Sequence, residues 1–139
     1  MIDSYRPSLV LACDLAEKML QRLQKKHGRV GCLQCDIVWP PLKEASVDVI
    51  FMNAMYGNIA DKPCGCRNVA RILRSGGRLV VSHPEGKGFV DHLRATSELV
   101  TESLPTEDEF ESLLAPLGLE VIAYRDEPRL YVMVARKME

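Results

Sequence analysis

Apolar positions along the chain change period several times. Ser8 to Cys13 (Ser-Leu-Val-Leu-Ala-Cys) is a compact apolar run that stops at Asp14. A short run without alternation predicts a strand buried on both faces. From Asp14 the period becomes helical. Leu15, Met19, Leu20 and Leu23 share one face, and Gln21, Arg22, Gln24, Lys25 and Lys26 fill the other. Asp14 is placed to cap this helix, Glu17 suits its first turn, and the basic stretch before Gly28 suits its end. Arg29 to Gln34 predicts a weaker strand, followed by Cys35-Asp36 and a loop in which Pro40-Pro41 excludes helix. Val47 to Met52 is a strongly apolar strand that runs into Asn53-Ala54-Met55-Tyr56-Gly57. Arg67 to Arg74 predicts a helix with Val69, Ala70, Ile72 and Leu73 inward. Ser75-Gly76-Gly77 stops it, and Arg78 to Ser82 is the next strand.

Gly86-Lys87-Gly88 leads into an amphipathic segment from Phe89 to about Leu99. Thr106-Glu107-Asp108-Glu109 has the spacing of a capping box, with Phe110, Leu113, Leu114 and Leu117 on one face behind it and Gly118 at the end. Leu119 to Tyr124 and Leu130 to Ala135 are strands whose short connector suits antiparallel neighbours. The order β-α-β-β-α-β-α-α-β-β predicts an α/β fold in one domain over residues 1–139. Its sheet is mostly parallel, covered on both faces, and ends in an antiparallel hairpin. Ligands of such sheets bind beyond the carboxyl ends of the strands, which singles out Asp14, Asp36, Asn53 and His83.

Composition narrows the function classes. The 139 residues carry 18 Lys and Arg against 19 Asp and Glu, mixed along the chain, and aromatics make up 6%. Neither a basic face nor a stacking surface for nucleic acid is expected. No apolar stretch reaches the roughly 20 residues of a membrane span. The N-terminus Met1-Ile2-Asp3-Ser4-Tyr5-Arg6-Pro7 has no signal-peptide pattern, so a cytoplasmic location is expected, or an organellar one after leader removal. Five cysteines, an odd count, predict thiols or metal ligands rather than structural bridges.

Three segments together resemble the class I S-adenosylmethionine-dependent methyltransferases. Leu9-Val-Leu-Ala-Cys-Asp14-Leu-Ala-Glu-Lys-Met-Leu20 is similar to that family's second strand and following helix. Cys35-Asp36-Ile-Val-Trp-Pro-Pro-Leu42 and Ser46-Val-Asp-Val-Ile-Phe-Met-Asn53 are similar to its third-strand acidic loop and fourth strand. Val69 to Ser82, with the Gly-Gly turn, is similar to its next helix and fifth strand. The resemblance implies a three-layer Rossmann-like sheet and S-adenosylmethionine as cofactor. It implies that Asp14 accepts from the ribose hydroxyls, Leu15 packs on the adenine, Asp36 accepts from the adenine amino group, and the Ile37 N–H meets a ring nitrogen. Asn53, Ala54 and the following residues to Tyr56 would face the methionine moiety and the methyl acceptor. The family's first strand and its glycine-rich turn have no counterpart here, since Gly86-Lys87-Gly88 follows the fifth strand. The remaining strands are expected as six in the family order 3-2-4-5-7-6.

The resemblance implies no fixed catalytic residue, because methyl transfer is an in-line displacement served by positioning. His83 and Tyr56 are candidates. His83 reads either as a general base oriented by Glu85 or as a loop histidine beside the turn-forming Pro84. His92 reads as surface. Cys32-x-x-Cys35 with Cys64-x-Cys66 could form a four-thiolate zinc site, but the second spacing does not suit one, and no metal is expected. Redox activity at Cys32-x-x-Cys35 is not expected, since the pair does not open a helix. Trp39 reads as a cover for a cofactor edge or as a plug onto the sheet. The leading expectation is a methyltransferase-like protein with a small-molecule acceptor. The alternatives are a catalytically degenerate fold serving as an interaction or homodimerisation module, and a zinc-bound interaction module.

Overall fold

The computed structural model describes residues 7–98 and 102–139. The N-terminal residues up to Arg6 and the predicted helix end at Leu99 lie outside the described residues. The elements follow the expected order. Strand β1 (Leu11–Asp14) leads to helix α1 (Glu17–Lys26), β2 (Gly31–Gln34) and β3 (Val47–Asn53). Helix α2 (Lys62–Ile72), β4 (Leu73–His83), α3 (Gly86–Thr96), α4 (Glu107–Leu114), β5 (Leu119–Glu127) and β6 (Leu130–Lys137) complete it. The chain divides into two compact units, one ending at Pro41 and the other beginning at Leu42.

In the first unit β1 and β2 pair in parallel, Leu11 with Gly31 through to Asp14 with Gln34. Leu20 of helix α1 is buried, as are Val30, Val38 and Pro40. The expectation that the first strand is buried on both faces is corrected. Leu11 is 44% exposed, and Cys13 and Asp14 are exposed as well. Two strands and one helix cannot cover both faces, whatever the apolar content of the run. Asp14 is also not the helix cap. Ala16 holds that position with no side-chain bond, and the Asp14 carboxylate accepts the Ala16 N–H at 2.9 Å.

In the second unit the sheet order is β3-β4-β6-β5, with β3 and β4 parallel and the β4-β6 and β5-β6 pairs antiparallel. This matches the family order 4-5-7-6. The expected continuous six-stranded sheet is corrected: β1 and β2 form a separate two-stranded sheet. Among the described residues the strand that stands between the family's second and fourth strands has no counterpart.

The core of the second unit lies on one face of its sheet. Leu79, Val81 and His83 of β4 align with Ala135, Met133 and Tyr131 of β6, and all are buried. Val69 and Ile72 of α2, Phe110 and Leu114 of α4, Tyr56 and Leu104 join that core. Tyr56 packs against Phe110 with ring centroids 5.2 Å apart. The hydroxyls of Tyr124 and Tyr131 both donate to the Pro105 carbonyl, at 3.2 and 2.5 Å, which fastens the segment before α4 to the hairpin. The residues of opposite parity, Val49, Phe51 and Ile122, are 43–51% exposed. The expectation of a sheet covered on both faces therefore fails for this sheet: among the described residues of the unit, the helices supply cover for one.

Local signals account for most boundaries. The Thr106 hydroxyl accepts from Glu109 N–H and the Glu109 carboxylate accepts from Thr106 N–H, completing the capping box. Helix α2 begins five residues earlier than the apolar period suggested. Asp61 caps it by accepting the Cys64 N–H at 2.9 Å, and Pro63 occupies its first turn. It ends at Ile72, because Leu73 already pairs with Val47; Arg74 to Gly77 then bulge out before Arg78 pairs with Val49. At Gly77 a β-carbon would come within 2.8 Å of the Arg74 carbonyl oxygen. Gly86 has φ +77° and sits where a β-carbon would lie 2.9 Å from the carbonyl oxygens of both Glu127 and Pro128. Its role is to seat α3 on the β5–β6 turn.

Replacing Phe110, which is wholly buried, by Ala should lower the unfolding free energy by about 3–5 kcal/mol. Thr106→Ala, which removes one half of the capping box, should lower it by about 1 kcal/mol. Urea titration followed by circular dichroism measures both, and equal effects would contradict the placement of the core.

Candidate functional site

The carboxyl ends of the two parallel strands in the first unit put two acidic residues at the same edge. Asp14 ends β1, and its register partner Gln34 ends β2, followed by Cys35-Asp36. The Cys35 N–H donates to the Asp14 carbonyl at 3.2 Å, extending the ladder one step. Both carboxylates are exposed. Asp14 Oδ1 accepts from Ala16 N–H and Asp36 Oδ1 accepts from Val38 N–H, each at 2.9 Å. These local bonds fix the direction of each carboxylate at the cost of one oxygen. The Gln34 side-chain amide donates to the Leu15 carbonyl at 3.0 Å and ties the turn after β1 to the end of β2.

Leu15 follows Asp14 and is 65% exposed, while Ile37 is half-buried. Trp39 is 73% exposed, which excludes the reading of it as a plug onto the sheet. The edge therefore combines two oriented carboxylates with uncovered apolar side chains, an arrangement suited to a planar apolar ring carrying polar edges and a vicinal diol.

In the second unit Asn53 and Ala54 lie at the end of β3. The Ser82 hydroxyl donates to Asn53 Oδ1 at 3.1 Å, and the Ala54 N–H donates to the Ser82 carbonyl at 2.8 Å. Ala54 has φ +55°, a left-handed conformation that costs a residue with a β-carbon about 1 kcal/mol. It turns the chain abruptly from the strand into a single 3-10 turn at Tyr56–Asn58. Asn53 and Ala54 are both exposed.

The two catalytic candidates occupy different environments. Tyr56 is 2% exposed, and the Lys62 ammonium lies 5.7 Å above its ring. Burial holds the Tyr56 phenol protonated and pushes the Cys66 thiol up to about 11. His83 is buried at the end of β4, its ring against Phe89. Its Nδ1 accepts the Glu85 backbone N–H at 3.2 Å, so the backbone of Glu85 orients the ring. Burial draws the His83 pKa below its ordinary value, and the Glu85 carboxylate only partly opposes that. His92 is exposed, as the pattern suggested.

Among the described residues no three His, Cys, Asp or Glu side chains come together to hold a metal ion. Cys32 turns toward α1, its sulfur 3.6 Å from the Leu20 carbonyl oxygen. No helix among the described residues is long and apolar enough to cross a membrane.

Two features were not anticipated from the residues. One is Lys62, buried at the start of α2, which donates to the Ile59 carbonyl at 2.8 Å and lies 3.5 Å from the exposed Glu102 carboxylate. With Tyr56, Lys87, Glu102 and Glu109 it lines an open pocket of about 440 Å³ within the second unit. The Asp61-x-Pro63 start signal could have placed it. The other is the placement of Cys13 opposite Leu33, which follows from the parallel register rather than from sequence spacing.

Comparison with known proteins agrees with this architecture. A model of the methyltransferase domain family matches residues 2–81. A Mycobacterium tuberculosis protein named as a "probable S-adenosylmethionine-dependent methyltransferase" is 33% identical over 75 residues, which is 54% of this chain and 27% of that protein. The match thus spans about a quarter of the length of that curated relative. Among solved structures, a chain of the complex between the Haloferax volcanii Trm112 methyltransferase activator and a candidate methyltransferase superposes with a TM-score of 0.81. Its identity is 14%, and the match covers 99% of this chain and 77% of that one. An S-adenosylmethionine-dependent methyltransferase from Mesorhizobium loti gives 0.74 at 18% identity, covering 93% and 80%. At these identities the structural matches speak to fold, which is Rossmann-like. The family match covers more than half of the sequence: this chain belongs to the methyltransferase domain family.

Proposed function

We propose that the chain acts as a single methyltransferase-like domain that holds S-adenosylmethionine, with its adenosine half at the Asp14–Asp36 edge, and directs methyl transfer to a small molecule. The observation that carries this reading is the pair of oriented, exposed carboxylates at adjacent parallel strand ends, with Leu15 uncovered beside them. Each Asp retains an oxygen that is not the one given to its own loop. In this proposal Asp14 accepts from the two ribose hydroxyls, Asp36 accepts from the adenine amino group, the Ile37 N–H donates to a ring nitrogen, and Leu15 packs on the ring face. Asn53 and Ala54 serve the methionine end and the acceptor.

The bound cofactor would supply a sulfonium-activated methyl group for in-line displacement. The residues of this chain then contribute orientation and exclusion of water rather than covalent chemistry. The hydrogen bond from Ser82 to Asn53 and the Ala54–Ser82 bond hold the turn after β3 in place. Tyr56 supports that turn through its packing on Phe110. A small-molecule acceptor suits the 440 Å³ pocket beside Tyr56, whose Lys62, Lys87, Glu102 and Glu109 offer both signs of charge. His83 is assigned a packing role, since its Nδ1 is occupied and its ring is buried.

S-adenosylhomocysteine, added to the purified chain in a calorimeter, should give saturable heat. Asp14→Ala should weaken the binding by roughly tenfold or more, the value of one charge-assisted hydrogen bond. No heat and no thermal shift at about millimolar ligand (weaker than any binding that matters here) would contradict the function and favour a catalytically degenerate fold. For His83, the imidazole should titrate by NMR with a midpoint below its ordinary 6.5. A depressed folded value means the stability linked to the neutral ring is present above pH 6.5 and is lost as pH falls through the folded midpoint. A midpoint above 6.5 would instead restore His83 as a candidate base.

A further inference from the structure

The open pocket of about 440 Å³ in the second unit carries two lysines and two glutamates: Lys62, Lys87, Glu102 and Glu109. Equal numbers do not make the two signs equally available. The Glu109 carboxylate is committed to the capping box, accepting the Thr106 N–H at 2.7 Å. Glu102 lies 3.5 Å from the Lys62 ammonium, and that pair is lopsided: the lysine side chain is 7% exposed and the glutamate 68%. A buried ammonium needs an anion beside it, whereas an exposed carboxylate loses little by turning to water. Lys62 is also held from its own side, by the Ile59 carbonyl at 2.8 Å and the Tyr56 ring at 5.7 Å. The cation is therefore fixed and its anion replaceable. Lys87 is half-buried, and among the described residues it forms no ion pair, although its charge is felt at Glu109. Asp91, one turn further along α3, lines an adjoining groove instead. Both lysines stand in the first turns of α2 and α3, where no acidic residue accompanies them. The ends of those helices present positive partial charge, so a lysine there is unfavourable until an anion joins it. Asp61, the cap of α2, does not line the pocket.

We infer that this pocket takes a small molecule bearing a carboxylate, held by Lys62 and Lys87, and that Glu102 is the stand-in anion which the ligand displaces. That the ligand is the methyl acceptor rests on the proposed function; the preference for an anion stands on the pocket alone. A carboxylate offers two acceptor oxygens, so one group can answer both lysines. Its arrival leaves the Lys62 ammonium where the Ile59 carbonyl already holds it, and the displaced Glu102 carboxylate passes into water. Leu104 and Leu113 on the pocket wall suit an apolar body behind the acid group. A cationic amine meets the opposite situation. Glu109 would have to give up its cap to receive it, and both lysines would repel it.

Benzoate, benzyl alcohol and benzylamine share a ring and differ in charge, so NMR titration of the full chain with each reads the sign of the pocket. Benzoate should bind roughly tenfold tighter than benzyl alcohol, the value of one charge-assisted hydrogen bond, and benzylamine should bind most weakly. The amides of Lys87, Ser103 and Leu104 should report the binding. Lys87→Met should abolish most of the advantage of benzoate over benzyl alcohol. Lys62 is buried and its replacement bears on folding, so the test is carried by Lys87 and Glu102 instead. Glu102→Gln should tighten benzoate binding severalfold, because the competing anion is gone and the side-chain size is kept. Benzylamine binding tightest, benzoate and benzyl alcohol binding alike, or no saturable binding of any of them would overturn the carboxylate site. Unchanged or weaker benzoate binding in Glu102→Gln would overturn the displacement. None of these titrations uses the cofactor. A chain that binds benzoate but not S-adenosylhomocysteine contradicts the proposed function and leaves the carboxylate site standing, and the reverse result does the opposite.

Discussion

The constraint on which the candidate site depends is the parallel pairing of Leu11–Asp14 with Gly31–Gln34. Parallel strands end on the same side, so the residue that leaves each one faces the same edge. That places two carboxylates, far apart along the chain, at one edge. An antiparallel pair would send Asp14 and Asp36 to opposite ends. The Cys35–Asp14 and Gln34–Leu15 hydrogen bonds carry the pairing past the last ladder residues and hold both exit turns in register. Orientation of each carboxylate by a single backbone N–H follows from those turns.

The second unit solves a different problem. Its core depends on the aligned buried residues of β4 and β6, closed over by α2, α4 and the Tyr56 turn. The short turn after β3 is held by neighbouring backbone and by Ser82, at the cost of a left-handed Ala54. Strain at the end of a strand, supported by a wholly buried aromatic pair beneath it, is the kind of local expense that packing elsewhere offsets.

Elements with their own start and stop chemistry were legible in the sequence. Thr106 and Glu109 named the start of α4, Gly118 the end of the 3-10 turn that follows it, and the strand-to-helix changes of period gave the element order. Three features were not legible, each for a physical reason. Apolarity of Leu9 to Cys13 could not report burial, because burial depends on what covers a strand, and here little does. The start of α2 was hidden because Lys62, Cys64 and Gly65 interrupt the apolar period, although Asp61 and Pro63 supply the cap. The placement of Cys13 opposite Leu33 depends on register between strands separated by a whole helix, which sequence spacing does not encode. The site residues Asp14, Leu15, Asp36 and Ile37 were drawn from likeness to a family. The structure adds where each lies and what its atoms already hold.

Amide chemical shifts recorded during titration with S-adenosylhomocysteine test the central claim most directly, because they report where the adenosine sits rather than only that something binds. The amides of Ala16, Cys35, Ile37 and Val38 should move together and saturate at one ligand concentration. These are the groups whose hydrogen bonds or neighbours belong to the Asp14 and Asp36 turns. Saturating shifts confined to residues around Lys62 and Glu102, with the two turns unmoved, would contradict the assignment of the paired strand ends as the adenosine edge.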